Sequence, residues 1–311
     1  MLTADLDAAL SAYNAGDFTG ALGAAKLAAN AGNAEAMVLA GTILLNGEAG
    51  LINDNEAADW FKRAAALGNS DAQIALGEMA LKSRGGLTPS GAMPYLSAAS
   101  QAGRIEARRA IGEMYLKGIG IDADPVKAQS WLTQAADAGD SAGAKTMGDS
   151  LFESDPNAAL IWYEKAAAAG NAEAAYIAAI MYAENYDIRP NSAKAAALLQ
   201  QAAEAGIAGA QADYGLLVYQ GANVTRSEQD AAQWFRKSAK GGDSEGQFLY
   251  AFTLAKGEGV ERDYEEAYYW LLKSGESGID DYDLDRKKLR ERLEANVDPS
   301  LLANARRRAS Q

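Results

Sequence analysis

Neither cysteine nor histidine occurs among the 311 residues. That removes disulfides, thiolate nucleophiles, imidazole bases, Ser-His-Asp triads and the usual zinc sites. The side chains left for chemistry are 42 acids, 29 bases, 14 tyrosines and scattered hydroxyls. Paired carboxylates could act on glycans as a glycosidase does, but no local signature marks such a pair. The run Gly143-Ala144-Lys145-Thr146-Met147-Gly148-Asp149 has the glycine spacing of a phosphate loop, with Asp149 where that loop requires lysine. Asp281, Asp283 and Asp285 alternate like a calcium loop, yet Arg286 and Arg292 fall where its glycine and glutamate belong. Asn223-Val224-Thr225 is a glycosylation sequon, meaningful only in a secretory compartment. Arg306-Arg307-Arg308 reads as a solvated, frayed terminus. The expectation is a protein that is not an enzyme and holds no metal and no cofactor.

Composition narrows the partners. The formal charge is −13, which argues against nucleic acid, since phosphate binding relies on lysine and arginine. Residues 286–311 carry +5, so the rest carries −18. No stretch approaches the ~20 apolar residues of a membrane span. The first residues, Met1-Leu2-Thr3-Ala4-Asp5, lack the basic region and apolar run of a signal peptide. This fits a cytoplasmic protein, and equally a periplasmic or secreted one whose signal has been removed. Alanine occupies 69 positions and aromatic residues 8%, a composition suited to helices packed closely through small side chains.

A repeating frame emerges from the five tryptophans. Trp60, Trp131, Trp162, Trp234 and Trp270 each stand eight residues before a glycine: Gly68, Gly139, Gly170, Gly242 and Gly278. Gly32, Gly103 and Gly206 complete a series with steps of 36, 35, 36, 31, 36, 36 and 36. Ala24, Tyr95 and Leu198 hold the tryptophan position in the other three frames. Alanine always stands three residues before that position and alanine or serine four after it, on one helix face. A large residue between two small ones suits close helix packing, so the tryptophans are expected in the core. Asp17, Asn53, Thr88, Asp124, Asp155, Asn191, Ser227 and Asp263 stand seven residues before it and suit helix N-caps. The glycine suits a left-handed residue past the helix end. A second helix follows each glycine, with a small residue nine positions on: Gly41, Gly77, Gly112, Gly148, Ala179, Gly215 and Ala251. Residues 4–14 read as this second helix for the first frame. The frame ending at Gly170 is about five residues short, lacking the glycine-rich loop before Asp155.

The run from Ala107 through Gly112, Tyr115, Gly118 and Gly120 to Trp131 and Gly139 resembles Sel1-like repeats, helix-turn-helix units related to tetratricopeptide repeats. The resemblance covers about residues 4–279. It implies an all-α, right-handed α-solenoid of about eight repeats over residues 1–279, followed by capping helices and a basic tail over 280–311. It also implies a bacterial, regulatory, non-catalytic adaptor or scaffold, monomeric, that binds a peptide or partner protein in its concave groove. Carried over by resemblance, the groove positions are three before the small residue of the second helix and one, four and five after it. In the N-terminal and middle repeats they are Glu78, Lys82, Arg109, Glu113, Lys117, Lys145, Asp149 and Glu153, a mixed-charge set. In the later repeats they are Tyr176, Ile180, Leu216, Tyr219, Phe248 and Phe252, which are aromatic and aliphatic. These six, with Arg109 and Lys145, are the candidate partner-binding residues. The competing reading packs the aromatic ones against a neighbouring repeat.

Overall fold

A helix begins wherever a short polar side chain can take up its first free amides. The computed structural model, which describes residues 2–184, 188–275 and 282–311, shows this at seven of the eight expected caps. Asp124, for example, accepts from the Lys127 amide at 3.0 Å. Thr88 is the exception; a 3₁₀ turn over Pro89–Gly91 precedes its helix, and no side chain caps it. Gly278, Asp280 and Asp281 lie outside the described residues.

Eighteen α-helices and no strand occur among the described residues. They run α1 (Leu2–Asn14), α2 (Phe18–Asn30), α3 (Ala34–Asn46), α4 (Asp54–Ala66), α5 (Ser70–Leu81), α6 (Ala92–Gln101), α7 (Ile105–Lys117), α8 (Pro125–Asp137) and α9 (Ser141–Leu151). They continue as α10 (Pro156–Ala168), α11 (Ala172–Ala183), α12 (Ser192–Glu204), α13 (Ala208–Gln220), α14 (Glu228–Lys240), α15 (Ser244–Lys256), α16 (Tyr264–Lys273), α17 (Asp283–Asn296) and α18 (Pro299–Ala309). The odd-numbered helices from α1 to α15 and the even-numbered ones from α2 to α16 make eight pairs. The chain forms two compact units, Met1–Met147 and Gly148–Gln311.

Two kinds of glycine hold the frame. The glycine that ends each even-numbered helix from α2 to α14 needs its conformation: Gly139 has φ +95° with open space where a Cβ would point. The glycine inside the next helix needs its size. A Cβ on Gly112 would stand 2.7 Å from Leu132, and one on Gly215 2.7 Å from the Phe235 ring. Gly41 with Phe61, Gly77 with Leu96, and Gly148 with Tyr163 repeat the arrangement.

That arrangement corrects the placement of the core. Only Trp60 among the five tryptophans is buried; Trp131, Trp162, Trp234 and Trp270 are half-buried. The deep side chain is the next residue in each frame: Phe61, Leu96, Leu132, Tyr163, Leu199, Phe235 and Leu271 are all buried. Phe61, Leu96, Leu132, Tyr163 and Phe235 each drop into the socket left by a glycine of the partner helix. The indole instead roofs the pair, with its polar edge outward. The Nε1 of Trp270 donates to Glu266 at 2.8 Å, and the Lys237 ammonium lies 3.8 Å from the Trp234 ring.

Candidate functional site

The faces of the odd-numbered helices differ between the two units. In Met1–Met147 the charges satisfy one another. Arg109 on α7 donates through Nε to Asp140 at 2.9 Å and lies 3.5 Å from Glu113. Asp140 also accepts from the Ala142 and Gly143 amides at the start of α9, so Arg109 ties one repeat to the next. Glu78 and Lys82 pair at 4.0 Å beside them. These residues, with Ile74, Leu81 and Leu96, line a cleft of about 250 Å³. Lys145 is half-buried on α9.

In Gly148–Gln311, after Asp149 and Glu153, the same face turns apolar on α11, α13 and α15. Tyr176, Leu216, Tyr219, Phe248 and Phe252 belong to one hydrophobic cluster spanning α11, α13 and α15. Ile180 is half-buried on α11, one turn from Tyr176. Four of the five clustered side chains stay half-buried, keeping surface that a partner could cover. Phe248 does not: it is 4% exposed and belongs to the core. The reason is α17, which lies against α15. Tyr282 packs on Phe248 at 5.3 Å between ring centroids, and the Arg286 guanidinium lies 5.5 Å from the same ring. Arg286 is fully buried, donates to the Ser244 carbonyl at 3.2 Å and to its hydroxyl at 3.0 Å, and pairs with Asp283 at 3.1 Å. Two clefts of about 380 and 310 Å³ flank the α15–α17 contact and share Phe252, Leu289 and Arg292.

Hydroxyl–carboxylate pairs pin the tyrosines. Tyr219 donates to Glu258 at 2.7 Å, and this bond raises the tyrosine pKa. Burial, then the charge of the Asp213 carboxylate, push the Tyr176 hydroxyl well above the usual phenol range. The Asp213 pKa is itself raised from its ordinary value because the group is desolvated, with Asp243 and Glu184 adding like charge. Asp213 stands one residue away from the positions carried over by resemblance. Its only sequence signal is an acid where the neighbouring frames hold Ile177 and Leu249.

The remaining motifs are absorbed structurally. The phosphate-loop-like run lies largely on α9. Asp283 and Asp285 sit in the first turn of α17, each paired within its own helix. The terminal arginines are docked rather than frayed. Arg306 reaches Glu294 and Tyr268 at 2.8 Å, and Arg308 reaches Glu266 at 2.7 Å. A cleft of about 540 Å³ gathers Glu261, Asp263 and Glu266 with Arg236, Lys240 and Arg262. Asp263 there caps α16 and Glu266 binds Trp270 and Arg308, so both have structural duties.

A family model of the Sel1 repeat matches six stretches, residues 34–69, 105–140, 146–171, 172–207, 208–243 and 244–279. The chain belongs to the Sel1 repeat family. A Sel1 repeat protein from Oxalobacter formigenes superposes with a TM-score of 0.70 at 24% identity, covering 92% of this chain and 86% of that one. That likeness fixes the fold as a Sel1 repeat solenoid. A protective antigen of uropathogenic Escherichia coli with the same repeat fold aligns at 23% identity and a TM-score of 0.42, over 93% of this chain and 78% of that one. Among curated proteins, chitin synthase regulatory factor 4 of Schizosaccharomyces pombe is 35% identical over 128 residues. The match spans 40% of this chain and about a fifth (20%) of that protein's length. Sel1 repeats generally mediate protein–protein interaction on a scaffold that is generally non-catalytic. No helix among the described residues is long and apolar enough to cross a membrane.

Proposed function

We propose that the chain is a non-catalytic, regulatory interaction scaffold that binds a peptide or partner-protein segment on the face formed by α11, α13 and α15. The observation that carries this reading is the run of half-buried apolar side chains, Tyr176, Ile180, Leu216, Tyr219 and Phe252, on successive odd-numbered helices. Apolar surface held open on a rigid frame, with aromatic anchors, is what binding hot spots are built from. The Sel1 repeats that match a regulatory factor of chitin synthase support the regulatory part of the reading. Residues 282–311 serve as the cap of the array, since Leu289, Leu293, Val297, Leu302 and Ala305 are buried in the same cluster as α15 and α16. The scaffold acts as a monomer.

The test compares capture of interacting proteins by the native chain and by two double variants. Leu216→Ala with Tyr219→Ala removes two anchors, each worth about 2 kcal/mol or more at a hot spot. Glu78→Ala with Lys82→Ala removes an exposed ion pair from the other unit. The reading expects the first variant to lose a partner that the second retains. Equal retention by both, or loss by the second alone, would move the site to the mixed-charge face around Arg109 and Lys145.

A further inference from the structure

One helix already occupies this face. α17 lies on α15 through Phe248, Leu249 and Phe252, which line its cleft together with Leu289. One frame is 36 residues in this part of the chain, so the equivalent positions on α13 are Ala212, Asp213 and Leu216, and those on α11 are Tyr176, Ile177 and Ile180. α17 lies on the set that comes third in chain order, that of α15. The buried face of α17 joins Leu289 and Leu293, one turn apart, to Arg286, and the helix carries five bases against four acids.

Electrostatics distinguish the middle set from the third. Of the nine positions, eight are apolar and the ninth is Asp213. Asp213 stands one turn from Leu216 on α13, and Leu216 one turn from Tyr219. Its carboxylate interacts with Tyr176 and feels Asp243 and Glu184, while Tyr176 also feels Glu245. Acids therefore surround apolar anchors at this point. On α15 the corresponding position is apolar Leu249, and the docked helix places its buried arginine on Phe248 and Ser244 instead.

We propose that the partner segment is a basic amphipathic helix that lies over α13 beside α17, setting apolar side chains on Leu216 and Tyr219 and a guanidinium or ammonium group on Asp213. This rests on the reading of the α11–α13–α15 face as the binding surface. Two observations carry it: continuity with the contact that α17 already makes, and charge complementarity between a basic helix and the carboxylates around Asp213. A cation there relieves repulsion that the folded chain otherwise bears, so the pair adds affinity as well as orientation.

The probe is a synthetic 14-residue helix with the sequence of α17, which sets Arg286 on the same face as Leu289 and Leu293. A counterpart replaces its Lys and Arg with Glu. Binding of each to the full chain is measured by fluorescence anisotropy, at low and at physiological salt. The basic helix is expected to bind, more weakly as salt rises, and the acidic counterpart not at all. Asp213→Asn, which keeps shape and removes charge, should weaken binding on the order of tenfold. Leu216→Ala with Tyr219→Ala should abolish it. If the Leu216/Tyr219 variant loses binding while Asp213→Asn changes nothing, or the acidic counterpart binds as well, the charge assignment falls and the face stands. If neither variant alters binding, both readings fall. Self-association of the native chain that Asp213→Asn abolishes would assign the face to a second copy and overturn the separate partner.

Discussion

The two units share a frame and differ in what they display on it. In both, a buried large residue fills a glycine socket: Leu132 over Gly112 in one, Phe235 over Gly215 in the other. On the face of the odd-numbered helices, the first unit presents charges that cancel locally, as in Arg109 with Asp140 and Glu113. The second presents Tyr176, Leu216, Tyr219 and Phe252 beside carboxylates with an unfavourable setting. The frame is fixed because a socket tolerates little change in volume. The displayed face is free to differ because solvent forgives substitutions there.

The largest effects should fall on the shared frame and be alike in both units. Leu132→Ala and Phe235→Ala should each cost about 3–5 kcal/mol in urea unfolding. Trp234→Ala, half-buried beside Phe235, should cost about half as much. Because repeats lean mainly on their neighbours, hydrogen exchange should rise first in the adjoining pairs. A tryptophan variant as damaging as the Phe235 variant would return the deep position to the indole.

An intermediate effect should separate the units by sign. In the first, Asp54 takes a two-pronged bond from Arg84, at 2.6 and 2.9 Å, which lowers its pKa. A lowered folded-state value contributes stability above the unfolded pKa, and this is lost as pH falls through the folded one. In the second, Asp213 is raised by burial. Its ionised form is a penalty at neutral pH that fades as pH falls from above the raised value toward about 4. At pH 7, Asp54→Asn should therefore destabilise by up to about 1 kcal/mol, as expected for a partly exposed pair. Asp213→Asn should leave stability equal or higher. Thermal unfolding across pH 3–7 checks both; the same sign at the two sites would erase the contrast.

The smallest effect belongs to Lys82. It pairs with Glu78 at 4.0 Å with both side chains more than half exposed. Lys82→Ala should change stability by less than about 0.5 kcal/mol, and added salt should shrink even that. A loss above 1 kcal/mol would show that the mixed-charge face helps to hold the first unit together.

The local grammar was legible in the sequence. Cap, alanine, large residue, small residue and glycine at constant offsets fixed where helices start and stop, because caps and left-handed glycines act over a few residues. It also placed the frame within the repeat family. Spacing alone could not tell which of two adjacent large residues turns inward, since Trp234 and Phe235 differ by only 100° around a helix. The glycine sockets decided that, and they are contacts between helices. Nor could it show that Phe248 is covered, that Arg286 is buried, or that Asp213 sits among acids across three helices. The first two depend on where the chain returns after residue 282 and the third on how α11, α13 and α15 stack; only tertiary packing brings such distant segments into one desolvated place, where burial and neighbouring charge then set their chemistry.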